Sequence, residues 1–410
     1  MPVESAGSAL ETELDGAIET RTPGVVAAGA LLVVAVVLTA LNLRPAITGI
    51  GPMLSEMRQD LGASVLWAGA LTTVPTLCFA GAGLAAPLLA RRIGVGSAIA
   101  VALSALAVGL VLRVLDGPWV VLGGTLVATA GIALVNVLIP VVIKDSFPAR
   151  IGAMTGVYTA ALQGGGALGS AVTPRLGDAY GDWRPGLGSW AVLAVVALIA
   201  WILAARGTGR APMPESGTSG RGRSLLRNRL AWIVTLFFGL QAFYAYAAMG
   251  WFPQVMIDAG VPRDQAGLLF GLVSLIAVPI SLVVAPMAAR QRGQGPWILV
   301  LGVFGFAGTA GLMLAPAWSP LLWSVLIGLG MSVFSLALTV IALRARTGED
   351  TARLSGMAQG FGYLLAAFGP FLFGLLHDTT GDWVVPLSML LVLLVIQVAV
   401  GMAAGRRRFV

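Results

Sequence analysis

Charge is what this sequence has least of. Only 10% of its 410 residues are Asp, Glu, Lys or Arg, and 58% are hydrophobic. Soluble domains carry roughly 25% charged residues, so a water-soluble fold is excluded. Cysteine and histidine are scarcer still, with one of each, Cys78 and His377. One cysteine rules out an intrachain disulfide and a cysteine metal cluster, and a lone histidine is a poor metal site. Cys78 lies in an apolar run and reads as a packed thiol. Carboxylates are also missing from one place. All 18 acidic residues fall in the N-terminal stretch, in loops, or near the ends of apolar segments. A buried carboxylate that gains and loses a proton near neutral pH is a common device of proton-driven carriers; this chain has none at mid-span. A phosphate-binding glycine loop is absent too, which argues against ATP drive. No cofactor and no metal are expected.

What the chain has in abundance is long apolar segments. They fall at 24–54, 64–90, 96–114, 118–143, 151–176 and 186–205, then at 230–257, 265–289, 296–315, 319–343, 352–376 and 383–404. About 20 apolar residues suffice to cross a bilayer as a helix. The expectation is therefore an all-α polytopic membrane protein with twelve transmembrane helices in two six-helix bundles, residues 23–205 and 230–404. The linker 206–229 holds six arginines among Gly, Pro and Ser, a flexible composition. Residues 1–22 are acidic and lack the positive start of a signal peptide, so they read as a disordered cytoplasmic tail. Residues 405–410 form a basic tail.

The net charge of +7 points to orientation, not to nucleic acid. With the N-terminus inside, 19 of the 25 basic residues lie in cytoplasmic segments and 5 (Arg58, Arg113, Arg175, Arg184, Arg263) outside. By the positive-inside rule both termini are cytoplasmic and the chain is a multi-pass protein of the plasma membrane.

The two halves repeat. GDW stands at 181–183 and again at 381–383, an offset of 200 at which Lys144 also meets Arg344, Gly156 meets Gly356 and Asp178 meets Asp378. LLARRIG (88–94) matches PMAARQRG (286–293), and Pro52 matches Pro253, at offsets of 199 and 201. Parallel six-helix repeats place a substrate site near the bilayer midplane, between the halves.

The elements LNLRPAITGIGPML (41–54) and WAGALTTVPTLCFAGAGLAAPLLARRIG (67–94) resemble the cyanate/nitroimidazole transporter branch of the major facilitator superfamily. The resemblance covers the whole spanning region, and the NLRP element is its most specific part. It implies a carrier of small anions such as cyanate, or of small drug-like heterocycles. One departure stands out. The superfamily's loop between helices 2 and 3 usually carries an Asp, and here Arg91 takes that place, with Arg290 repeating the change in the second half. Arg91, Arg290, Lys144 and Arg344 are candidate cytoplasmic gating residues, and topology-setting charge is the plainer reading.

Arg44 is the basic residue left over by the charge count. The repeat sets it opposite Ala245, near the centre of the seventh span. A charge at that depth costs at least about 2.5–3.5 kcal/mol, and guanidinium does not deprotonate. With no acid near it, Arg44 needs water, carbonyls or an anionic ligand. Pro45, Gly49, Gly51 and Pro52 follow it, a composition that breaks helices and frees carbonyls. Ala40, Arg44 and Thr48 share a helical face. Other mid-span polar residues recur at helical spacing: Thr159 and Gln163, Gln241 and Tyr244, Gln359 and Tyr363, with Tyr246 beside them. Each alone reads as an interhelical hydrogen bond; together they predict one central cavity. The glycines of QGGGALGS (163–170), with Gly356 and Gly360, predict close helix packing or gating surfaces.

The expected function is secondary active transport of a small anionic or strongly polar solute, such as a cyanate-like anion or small organic acid, by alternating access. The alternatives are export of small heterocycles such as nitroimidazoles, or a non-transporting membrane sensor. A coupling proton stays open. A monomer is expected, with the substrate and the lipid bilayer as partners and no nucleic acid. An enzyme would need a convergent set of reactive groups that the residues do not offer.

Overall fold

The computed structural model describes residues 23–205, 225–291, 293–346 and 348–410. The acidic stretch 1–22 and linker residues 206–224 lie outside the described residues. Among the described residues the chain is helical, with no strand.

The first half begins with α1 (Pro23–Asn42), α2 (Pro45–Thr48) and α3 (Ile50–Asp60), three pieces of one broken span. It continues through α4 (Val65–Ile93), α5 (Val95–Leu112), α6 (Pro118–Ser146), α7 (Ile151–Tyr180), α8 (Trp183–Gly188) and α9 (Trp190–Ala205). The second half holds α10 (Arg229–Asp258), α11 (Arg263–Arg290), α12 (Gly295–Leu314), α13 (Pro320–Met331), α14 (Val333–Arg344), α15 (Gly348–Thr380) and α16 (Val384–Ala404).

Among the described residues, eleven segments are long and apolar enough to cross a membrane, against the twelve expected. The segment that falls short is α7. Its 30 residues give ample length, but Tyr158, Thr159, Gln163 and the glycine run dilute its apolarity.

The GDW repeat has a common geometry. Gly181 and Gly381 take φ of +68° and +74°, ending α7 and α15 in a left-handed turn that suits glycine. Asp182 then accepts from the backbone N–H of Arg184, and Asp382 from those of Val384 and Val385. The Trp183 indole donates to Asp60 at 3.1 Å and the Trp383 indole to Asp258 at 3.0 Å. One tripeptide thus stops a helix, caps the next, and ties both to the far end of the span that opens its half.

The halves meet unevenly. Thr73 of α4 donates to the Ala367 carbonyl of α15, and Ser170 of α7 to the Gly267 carbonyl of α11. Arg263 of α11 pairs with Glu56 of α3 and lies 3.5 Å from Asp178 of α7. All these contacts lie toward one end, where α3 and α7 finish and α11 begins. At the other end, which carries most of the arginines, Gly156 of α7 still approaches Leu282 of α11. Gly356 and Gly360 correct the packing expectation there: a side chain added at either would meet open space. Gly169 fits it, because a Cβ there would run into the backbone of Pro45.

Candidate functional site

The break in the first span builds the site. Pro45 has no N–H and disfavours helical geometry at the residue before it, so α1 stops at Asn42 and Arg44 caps α2 with φ −107°. The loose ends are then tied individually. The Arg44 carbonyl accepts from the N–H groups of Ile47 and Thr48 at 2.9 Å each. Thr48 donates to the Gly166 carbonyl of α7 at 2.8 Å. Arg113, at the end of α5, reaches across to the Ala46 carbonyl at 2.6 Å and the Leu187 carbonyl at 3.5 Å.

Below this break lies a cavity of about 560 Å³ that extends toward the arginine-rich end, as far as Ile143, Thr155 and Leu338. Arg44, Thr159, Tyr246, Gln359 and Tyr363 line it, with Phe79, Asn136, Tyr158, Phe334 and Ser335. A smaller lobe of about 80 Å³ continues past Arg44 to Gln163, Gln241, Ser274 and Ser332. Among the described residues, no acidic side chain lines either space. Arg44 is half-buried, and its side-chain contact is a weak one, Nη1 to the Met249 sulfur at 4.0 Å. The Gln241 side chain is buried with Oε1 lacking a hydrogen-bond partner. Gln163 donates to the Ser274 carbonyl at 3.3 Å, Gln359 to the Ser355 hydroxyl at 2.8 Å, and Thr159 to the Thr155 carbonyl at 2.9 Å. Opposite Arg44 the rings of Phe79, Tyr246 and Tyr363 form a cluster with centroids 5.3 to 6.1 Å apart.

Seven of the nine expected binding residues therefore share one cavity, and two do not. Thr48 is fully buried and spends its hydroxyl on the carbonyls of Arg44 and Gly166. Tyr244 bonds to the Thr309 hydroxyl of α12 at 2.8 Å, inside the second half. The cause is angular. At about 100° per residue, Gln241, Ala242, Ala245, Tyr246 and Met249 fall on one arc of α10, and Tyr244 points away from it. Among the gating candidates, Arg91, Lys144 and Arg290 are exposed in the last turns of α4, α6 and α11. Arg344 is not: it is buried and bonds to α16 and Gln294 in its own half, which corrects its gating assignment to packing in this arrangement.

Sequence reasoning missed Asn136, Tyr158 and Arg113. Tyr158 donates to Asn136 at 2.8 Å on the cavity wall. The available signal was an isolated Asn in the apolar run GIALVNVLIP. Arg113 was counted simply as an outward basic residue, yet it is completely buried; its neighbours in sequence give no sign of its reach.

Comparison with known proteins agrees with this architecture. The sequence model of the Major Facilitator Superfamily matches residues 30–370. The chain is 36% identical over 379 residues to the 2-nitroimidazole transporter of Escherichia coli (strain K12), covering 92% of this chain and 95% of the relative. It is 30% identical over 354 residues to the cyanate transport protein CynX of the same organism, covering 86% and 91%. Among solved structures, a bacterial homolog of the human lysosomal transporter Spinster, inward-facing and occupied, superposes with a TM-score of 0.74 at 14% identity, covering 92% of this chain and 97% of that one.

Proposed function

The chain belongs to the Major Facilitator Superfamily and is a membrane transporter, not an enzyme, and we propose that it carries a small anion or strongly polar solute by alternating access. The carrying observation is Arg44. It is a permanent charge deep in the chain, facing a cavity lined by no carboxylate among the described residues, with a thioether sulfur as its side-chain contact. An anionic ligand would supply the missing compensation, and the guanidinium fork suits a carboxylate or small linear anion. Gln241 adds a buried amide at the inner end whose Oε1 would accept from a donor group of a polar solute. The volume of about 560 Å³ falls in the range typical of small-molecule sites, roughly 300–1,000 Å³.

In this reading α7 is counted as the twelfth span, and residues 23–205 and 230–404 rock about the site. Both termini face the cytoplasm, on the charge asymmetry, which makes the present arrangement open to the inside and closed to the outside. The ring cluster of Phe79, Tyr246 and Tyr363 favours a second reading, a planar heterocycle, since flat rings stack well on aromatic faces. The 2-nitroimidazole transporter among the relatives is consistent with it.

The test is binding and uptake by the purified protein in proteoliposomes, with cyanate, small aromatic acids and 2-nitroimidazole as probes. Arg44→Lys keeps the charge without the fork and is expected to weaken anion binding; Arg44→Ala is expected to abolish it. Wild-type anion affinity in a folded Arg44→Ala protein would refute the anion reading. Saturable binding of the neutral heterocycle alone would select the second.

A further inference from the structure

A second basic pocket shares no lining residue with the central cavity. It measures about 310 Å³ and is formed where α11, α12 and α14 end or begin and the C-terminal segment folds back. Arg290, Arg344 and Arg407 line it together with Gln291, Gln294 and Phe409. Among the described residues, no acidic side chain lines it. Arg344 is only 3% exposed. It donates to the Ala404 carbonyl at 2.8 Å, the Gly405 carbonyl at 2.9 Å and the side-chain oxygen of Gln294. Every one of those acceptors is neutral. The carbonyls at the end of α16 carry roughly half a negative charge, far short of three guanidiniums.

Two further facts argue for a built site over loose surface charge. The C-terminal segment is pinned around it: the Val410 N–H donates to the Arg344 carbonyl at 3.0 Å, and the Arg346 guanidinium sits 5.1 Å from the Phe409 ring. In addition, the repeat partner of Arg344 is Lys144, which is exposed. Orientation of the chain in a membrane needs basic residues at this end, but it does not need one of them buried. In the first half the equivalent position is met by an exposed side chain, Lys144.

We propose that this pocket binds a phosphate group, carried either by the headgroup of an anionic phospholipid or by a soluble phosphate. Guanidiniums bind phosphate through paired N–H donors. The pocket lies where three helices leave the apolar segments, the depth at which anionic headgroups meet juxtamembrane basic clusters. A bound phosphate would join the ends of α11 and α14 to the C-terminal segment and so brace the second half.

The experiment measures thermal unfolding of the purified full-length chain in detergent with added phosphatidylglycerol, phosphatidylcholine, inorganic phosphate, or chloride at matched ionic strength. Phosphatidylglycerol is expected to raise the melting temperature by several degrees more than phosphatidylcholine. The double variant Arg290→Gln with Arg407→Gln, which spares the packed Arg344, is expected to erase that difference. If millimolar inorganic phosphate reproduces the shift and the variant again erases it, the ligand is a soluble phosphate and the site stands. Equal responses of wild type and variant to phosphatidylglycerol, with phosphate acting no differently from chloride, overturn the proposal. Should the double variant fail to fold, Arg407→Gln alone and native mass spectrometry of retained phosphatidylglycerol give the same decision.

Discussion

The first and seventh spans occupy corresponding places in the two halves, yet one is in three pieces and the other is whole. α1, α2 and α3 cover residues 23–60 with breaks on either side of Pro45–Thr48, whereas α10 runs unbroken from Arg229 to Asp258 through Pro253. At the equivalent depth one carries Arg44 and the other Ala245, and both line the same inner lobe. An intact helix satisfies its own backbone and delivers a predictable face. A broken one leaves carbonyls to be satisfied from outside, and here Thr48 and Arg113 are recruited to tie the broken segment to its neighbours. Irregular backbone is tolerated at membrane depth where protein or a cavity surrounds it. The comparison teaches that the unbroken span acts as a frame, and the broken one presents the charge.

The sharpest way to break this contrast is at the glycine that admits α2. A Cβ on Gly169 would collide with the Pro45 backbone, and one on its repeat partner Gly369 would press on the Phe243 carbonyl of α10 at 2.7 Å. Gly169→Ala is expected to displace Arg44 and abolish ligand binding and uptake. Gly369→Ala is expected to lower the melting temperature while leaving binding measurable. Equal loss of binding in both would remove the distinction between presenting and framing spans.

Pro45→Ala should have an intermediate effect. It returns an N–H and lifts the restriction on Arg44, allowing the first span to approach the continuity of the seventh. The expected outcome is a raised melting temperature together with roughly a tenfold lower uptake rate, about 1.4 kcal/mol on the barrier.

The smallest effect concerns the two indole–carboxylate ties. In the first half, the Trp183 indole N–H holds the Asp60 carboxyl below the ordinary carboxylate value, with Arg184 at 2.8 Å adding to the shift. A carboxylate lowered in the folded state contributes stability that is present above its unfolded pKa and is lost as pH falls through the folded one. Acidification below about pH 4 should therefore weaken the first-half tie. The check is a melting-temperature profile against pH, in which Asp60→Asn removes part of the acid-side fall.

Much of this was legible in the sequence because membranes impose simple rules. Length and apolarity outlined the spans, and the GDW repeat marked equivalent corners before their geometry was known. Arg44 was legible for the same reason, since a charge in an apolar run is conspicuous. Tyr244 was misread because two tyrosines two residues apart on one helix face nearly opposite ways, and a three-residue spacing did not fix which faced the cavity. Arg344 and Arg113 were misread for a different reason. A count of charges by loop records which end of a helix an arginine occupies, but not whether its side chain turns inward to carbonyls of another segment.

The one-sided opening of the cavity has an electrical consequence. A cavity continuous with one compartment sits at that compartment's potential, so the voltage falls across the closed part of the protein. Under the proposed alternating access, in which the halves rock and the opening changes sides, Arg44 would pass from one potential to the other without moving far itself. An empty carrier would thus transfer one positive charge per reorientation, worth about 2.3 kcal/mol at 100 mV. With an anion bound to Arg44 the pair is neutral and the same step feels no voltage. On the proposed orientation, an inside-negative potential holds the empty carrier in the inward-open arrangement seen here. Anion exchange would then be voltage-insensitive and net uptake voltage-dependent, a difference that proteoliposomes clamped with a potassium gradient and valinomycin would reveal or refute.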